Sequence, residues 1–200
     1  MRVIRVFLTI IGAIAVLAII ALVVGYYLFS LTPPIKAKMT PVVVSAGAAK
    51  SLDQKLEVLD SAIKSAVAVG EREVVSLTIT EEEANSKLIE ILAEGELPLK
   101  EISINFEELY LMVYTVVDTP GPNTKIGIIA QTEVVEGKPR IAIVDFDVGK
   151  LVLPNSVDGN VEDMLNIVIR LRLGDLPLEV TEIEVSDGQL SIMGVTKIIE

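Results

Sequence analysis

The stretch EVVSLTITEEEANSKLIEIL, Glu73 to Leu92, changes its period partway along, and that change decides the fold class. Glu73 to Ile79 is rich in β-branched residues and suits a strand. Thr80 and Glu83 then make a T-x-x-E capping box, in which hydroxyl and carboxylate each satisfy an orphan N–H at a helix start. Ala84, Leu88, Ile91 and Leu92 follow at three- and four-residue steps, so a helix runs on to Gly95. Glu81, Glu82 and Glu83 fall in its first turn, where acids complement the helix dipole. Consecutive helical residues point in different directions, so the triplet reads as helix-start acidity rather than a metal cluster. A strand feeding directly into a helix puts the chain among mixed α and β folds.

The chain downstream reads mainly as strands. Ile102, Ile104 and Phe106 alternate with polar residues, while Leu109 to Val117 is apolar on both faces and predicts a strand buried on each side. Lys125 to Val135 and Arg140 to Val148 continue the series, with turns at 118–123 and 136–139. Asn160 caps a further expected helix, with Glu162 and Asp163 in its first turn, Arg170 and Arg172 in its last, and Gly174 as a stop. Leu178 to Val185 and Gln189 to Val195 form a hairpin around Asp187-Gly188. Upstream, Leu52, Leu56, Leu59, Ile63 and Val67 predict a helix from Ser51 to Gly70. The expectation is an α+β domain over residues 51–200, a mostly antiparallel curved sheet of about seven strands packed with about three helices.

Phe7 to Phe29 is a run of 23 residues without a charge. At about 1.5 Å per residue it reaches roughly 34 Å, enough for a hydrocarbon core of about 30 Å. A signal-peptide core is shorter and is followed closely by a small-x-small cleavage site. Here the run ends in Tyr26, Tyr27, Leu28 and Phe29, residues suited to an interfacial aromatic belt. Residues 7–29 therefore read as a retained single-pass transmembrane anchor. Arg2 and Arg5 lie in residues 1–6, which are expected in the cytoplasm, with the domain extracytoplasmic at the cell membrane. Residues 30–50 carry three prolines and read as a stalk lifting the domain off the bilayer. Ala21-x-x-x-Gly25 is a small-x-x-x-small pair through which two spans would meet as a homodimer, although such residues are common in any span.

Composition narrows the chemistry. Residues 1–50 hold five basic groups and no acid, so residues 51–200 hold 12 basic against 28 acidic groups, a net of −16. Such a domain is repelled by nucleic acid, and no polybasic lipid-docking patch is present. The chain has no histidine, cysteine or tryptophan, which removes structural zinc of the usual kind, haem ligation by His or Cys, iron–sulfur clusters and disulfides. Ser61-Ala-Ile-Lys64 matches S-x-x-K, yet the S-D-N and K-T-G partners of that chemistry are missing. Asp145 and Asp147 project from one face of a strand but lack the further donors of a calcium loop. Asn155 to Asp163 fails the EF-hand register. No catalytic residue, metal ligand or cofactor site is assigned, and the reading is of a protein that is not an enzyme.

Three motifs resemble those of the YpmS-like family of single-pass, membrane-anchored extracytoplasmic proteins. Thr78 to Asn85 is similar to the family's T-x-x-E-L-N strand-to-helix entry, with Ala84 in place of the leucine. Val148 to Pro154 resembles its V-G-x-L-x-L-P segment, and Asp187 to Gly194 its closing D-G-x-L-x-I-x-G hairpin. The positions that carry the pattern are Thr80, Asn85, Gly149, Leu153, Pro154 and Gly188, and they specify structure rather than catalysis. The resemblance implies an extracytoplasmic domain akin to elongated lipid-binding folds, in which a curved sheet wraps a long helix. The expected function is therefore a non-catalytic cell-envelope module that binds a lipid or other apolar ligand. Leu88, Ile91, Leu92, Leu111, Val113 and Ile167 are its candidate cavity lining. The competing expectation is a protein-interaction or assembly module that meets other envelope proteins and takes no small-molecule ligand.

Overall fold

A computed structural model describes residues 16–17, 19–95, 99–118, 123–151 and 177–197. The elements are α1 (19–30), a 3-10 turn at Pro34–Ala37, α2 (Ala46–Val69), β1 (Val74–Thr80), α3 (Glu81–Ala93), β2 (Leu99–Glu107), β3 (Tyr110–Val117), β4 (Thr124–Val135), β5 (Lys138–Val148), β6 (Leu178–Ser186) and β7 (Gln189–Thr196). The fold is α+β, as the change of period implies. Its seven strands form two antiparallel sheets, β1-β7-β6 and β2-β3-β4-β5. The expected helix after Asn160, with Ile167, Leu153 and Pro154, lies outside the described residues.

Local chemistry accounts for the helix ends. The Thr80 hydroxyl accepts the Glu83 N–H at 3.2 Å and the Glu83 carboxylate accepts the Thr80 N–H at 3.0 Å, so the capping box is complete. α2 begins at Ala46 rather than Ser51, because Ser45 caps it by accepting the Ala48 N–H at 3.1 Å. Ala46 to Lys50 lacks large apolar residues, so apolar periodicity alone misses this first turn. Gly70 ends α2 in the left-handed conformation, at φ +70°.

The four-stranded sheet has two unlike faces. On one, Asn105, Met112 and Tyr114 are buried, and Gly127 lies opposite Tyr114 in register. Residues 31–45 climb across this face. Lys125 Nζ donates to Thr32 Oγ1 at 3.1 Å, Ile35 fills the space over Gly127, and the Asn105 amide donates to the Thr40 carbonyl at 3.1 Å. Ser45 N–H then donates to Ser86 Oγ at 3.0 Å. The expected stalk is thus a packed strap. Pro33 and Ile35 are apolar, and burying them against the sheet outweighs the extended freedom that a proline-bearing linker would keep.

β3 also corrects an expectation. Met112, Tyr114 and Val116 are buried, but Leu111, Val113 and Thr115 on the opposite face are half-buried. Its apolar run on both faces reflects two different environments rather than a strand sealed on each side.

Near the N-terminus, the stretch from Ile19 through Ala37, comprising α1 and the 3-10 turn that follows it, spans 19 residues and is, by length and composition, apolar enough to cross a membrane. Pro33 and Ile35 are taken up by the sheet, so the exposed large apolar residues of this stretch lie from Ile19 to Tyr27.

Candidate functional site

Two of the motif residues, Asn85 and Gly188, meet at the edge of β2. Asn85 is 3% exposed and its amide acts as a surrogate strand. Oδ1 accepts the Ile104 N–H at 2.9 Å, and Nδ2 donates to the Ile104 carbonyl at 2.7 Å and the Glu81 carbonyl at 2.8 Å. Glu81 Oε1 accepts the Phe106 N–H at 2.5 Å. Gly188 donates its N–H to the Phe106 carbonyl at 2.8 Å and accepts the Glu81 N–H at 3.0 Å. The helix entry and the closing hairpin therefore cover one sheet edge between them. Exposed backbone groups there would template unwanted strand pairing. Asn inside a helix is unfavourable unless its amide has such a task, and that is the sequence signal for Asn85. Nothing comparable points to Glu81.

Glu83 ties three elements together. Burial opposes its charge, but the Lys55 ammonium at 2.7 Å, the Thr80 N–H at 3.0 Å and the Ser51 hydroxyl at 2.7 Å prevail and hold the carboxyl at about 2. Lys87 similarly joins α3 to α2 through Asp53 at 2.9 Å. The Ser61–Lys64 motif has an ordinary role, since Lys64 pairs with Asp60 one turn earlier on exposed helix.

Gly149 forms the joint between α1 and the sheet. Its φ is +62°, and a Cβ there would run into the Leu28 and Phe29 carbonyls. Its N–H donates to the Lys125 carbonyl at 2.8 Å, and the next N–H, from Lys150, donates to the Leu28 carbonyl at 2.8 Å. Only glycine combines that backbone conformation with so close an approach.

The second face of the four-stranded sheet is apolar in registered rows. Ile104, Val113, Ile128 and Phe146 form one row across all four strands. Phe106, Leu111, Ala130 and Ile143 form a second, and Ile102, Thr115, Ile126 and Val148 a third, in which the Thr115 hydroxyl donates to the Glu101 carbonyl at 2.9 Å. Most of these side chains are half-buried; Phe106 and Ala130 are the buried ones. A register shift between Ile129 and Ala130 bulges β5 and strengthens the local twist. β6 crosses the end of the sheet that bears the β2–β3 and β4–β5 turns, with Leu109 N–H on the Val185 carbonyl and Val180 N–H on the Gly137 carbonyl.

The opposite end of this sheet meets α1. There Leu22, Val23, Gly25, Tyr26, Phe29 and Leu151 line an open cleft of about 590 Å³. Leu151 bridges back to Val148, so the cleft adjoins the third apolar row. Gly25, half of the small-residue pair, is among the residues that line this cleft.

The expected cavity residues divide between two places. Leu111 and Val113 lie on the apolar face. Leu88, Ile91 and Leu92 are half-buried on α3, which runs beside β2 from Glu81 at Phe106 through Asn85 at Ile104. The sheet residues sequence reasoning left out are Ile104, Ile126, Ile128 and Phe146, which single-strand patterns do not align with Val113.

Asp145 and Asp147 do share a face, the one crossed by the strap. Burial and then the Asp145 charge raise the Asp147 carboxyl above its ordinary range, with Lys38 opposing. No group of three or more acids placed to hold a metal occurs among the described residues. Compared with protein-family models and with curated proteins, the chain matches none.

Proposed function

We propose that the chain is a membrane-anchored, non-catalytic module that holds the acyl chain of a lipid against the apolar face of its four-stranded sheet. The observation that carries this reading is the set of three registered apolar rows left largely half-buried, with an apolar cleft at their α1 end. Burying an exposed apolar surface stabilises by about 25 cal/mol per Å², and an acyl chain supplies that cover without needing charge. Recognition by charge is disfavoured, because the domain's net −16 repels anionic headgroups. The lipid enters from the outer leaflet beside Gly25 and Leu151 and advances along Val148, Ile126 and Ile128. The resemblance to the YpmS-like family supports the same reading of an extracytoplasmic lipid-handling domain.

Native extraction of the full chain in mild detergent, followed by mass spectrometry, tests the proposal. A lipid stoichiometric with the protein is expected, and Val113→Asp or Ile128→Asn should release it. Val58→Ser, on a helix remote from this face, should not. A folded wild-type protein recovered free of lipid refutes the reading.

A further inference from the structure

We propose that the outer edge of β1 is a docking site where an extended, basic peptide segment of another protein adds as a fourth strand to the sheet β1-β7-β6. The backbone parity of β1 is fixed by its partner strand. The Glu73 carbonyl accepts the Thr196 N–H at 3.0 Å, and Val75, Leu77 and Ile79 lie opposite Gly194, Ile192 and Leu190. In an antiparallel ladder alternate residues bond to the same neighbour, so Val74, Ser76 and Thr78 turn their backbone groups outward. The Thr78 carbonyl confirms the direction, because it accepts Lys55 Nζ at 2.8 Å. Among the described residues, the outward groups of Val74 and Ser76 have no partner.

A groove of about 520 Å³ runs along this edge, between β1 and the Val58, Leu59 and Ala62 side of α2. Such an edge is normally blunted by a proline, a bulge or a charge within the strand. VVSLTIT has none of these. The β2 edge, by contrast, is closed by Asn85, Glu81 and Gly188. The free edge and the apolar groove together match strand addition, in which main-chain bonds give affinity and alternate side chains enter a pocket.

Charge selects the occupant. At one end Lys55 is neutralised by Glu83 at 2.7 Å. At the other, Glu71 and Glu73 make no ion pair among the described residues, while Arg72 between them turns to Glu179 at 3.5 Å. Glu73 lines the groove and Glu71 lies just beyond it, so the uncompensated charge at this end is negative, complementary to lysine or arginine on the incoming strand. A second copy of the chain is the poorer occupant, since it would bring two net −16 domains into contact.

The test uses the full chain in phosphatidylcholine nanodiscs and a fluorescein-labelled probe, Lys-Val-Thr-Val-Thr-Val-Lys, read by anisotropy. Saturable binding is expected. N-methylating one alternate set of the probe's amides should weaken it by about tenfold or more, and methylating the other set should change it less than about twofold. This comparison leaves the protein untouched, so it stands even if a variant misfolds. Ser76→Pro should abolish binding, and Glu71→Gln with Glu73→Gln should weaken it and flatten its salt dependence. Absence of saturable binding overturns the proposal, as does equal binding by both methylated probes. A dimer that Ser76→Pro dissociates and the probe does not compete with also overturns it, in favour of self-pairing.

Discussion

Replacing Glu83 by glutamine should destabilise the fold at neutral pH and leave it almost unchanged near pH 2. The side chain keeps its shape and still offers an oxygen to the Thr80 N–H, but it loses its charge beside Lys55. Holding the carboxyl at about 2 against an ordinary 4.5 corresponds to at most about 3 kcal/mol. The Lys55 side chain is 38% exposed, and solvent screening lowers the expected loss to about 2 kcal/mol. The folded-state value is depressed, so this stability is fully present above about 4.5 and is lost as the pH falls toward about 2. Thermal unfolding of the full chain in detergent, followed by far-ultraviolet circular dichroism, should show a Tm lower by about 4–8 °C at pH 7. The gap between wild type and Glu83→Gln should close progressively below pH 4.5. A deficit of the same size at pH 7 and pH 2.5, roughly speaking, would mean that Glu83 acts through packing, and the electrostatic reasoning would fail.

Two further variants probe the joint and the strap. Gly149→Ala should cost about 2 kcal/mol through backbone strain and its collision with the Leu28 and Phe29 carbonyls. Faster hydrogen exchange at the Lys150 amide is its expected signature, and an unchanged rate there would show that α1 is not held by this contact. Asp147→Asn should stabilise the fold slightly at pH 7, because it relieves a half-buried carboxylate beside Asp145. Its folded-state value is raised, so the wild type loses stability as pH rises through that value, and the variant's advantage should vanish in acid. An equal gain at acid and neutral pH would contradict the assignment.

Much of the molecule follows from local chemistry. A residue's neighbours within a turn or a strand decide whether a capping box forms at Thr80, whether a hairpin turns at Gly188, and whether a run such as 7–29 is apolar. These interactions reach only a few positions along the chain, so the α+β class, the strand boundaries and the α3 start can be read from the residues alone. The same locality explains the misreading of 30–50. Proline and small residues describe a segment's stiffness, whereas the fate of Pro33 and Ile35 depends on Gly127 more than ninety positions later, which leaves the space that Ile35 fills.

The division into two sheets, the Asn85 clasp on Ile104 and the alignment of Ile104, Val113, Ile128 and Phe146 all rest on registers between distant segments. No strand's own pattern contains its register against a neighbour, because alternation is satisfied equally by any shift of two residues. That the outward groups of Val74 and Ser76 have no partner among the described residues is likewise invisible in VVSLTIT, which would read the same way at the centre of a sheet. By itself, therefore, the sequence determined the α+β class, the seven strands and that the N-terminal helix is apolar enough to span a membrane. Only the tertiary structure decided how far each face and edge of those elements is buried, since exposure is a property of long-range packing and not of any single segment.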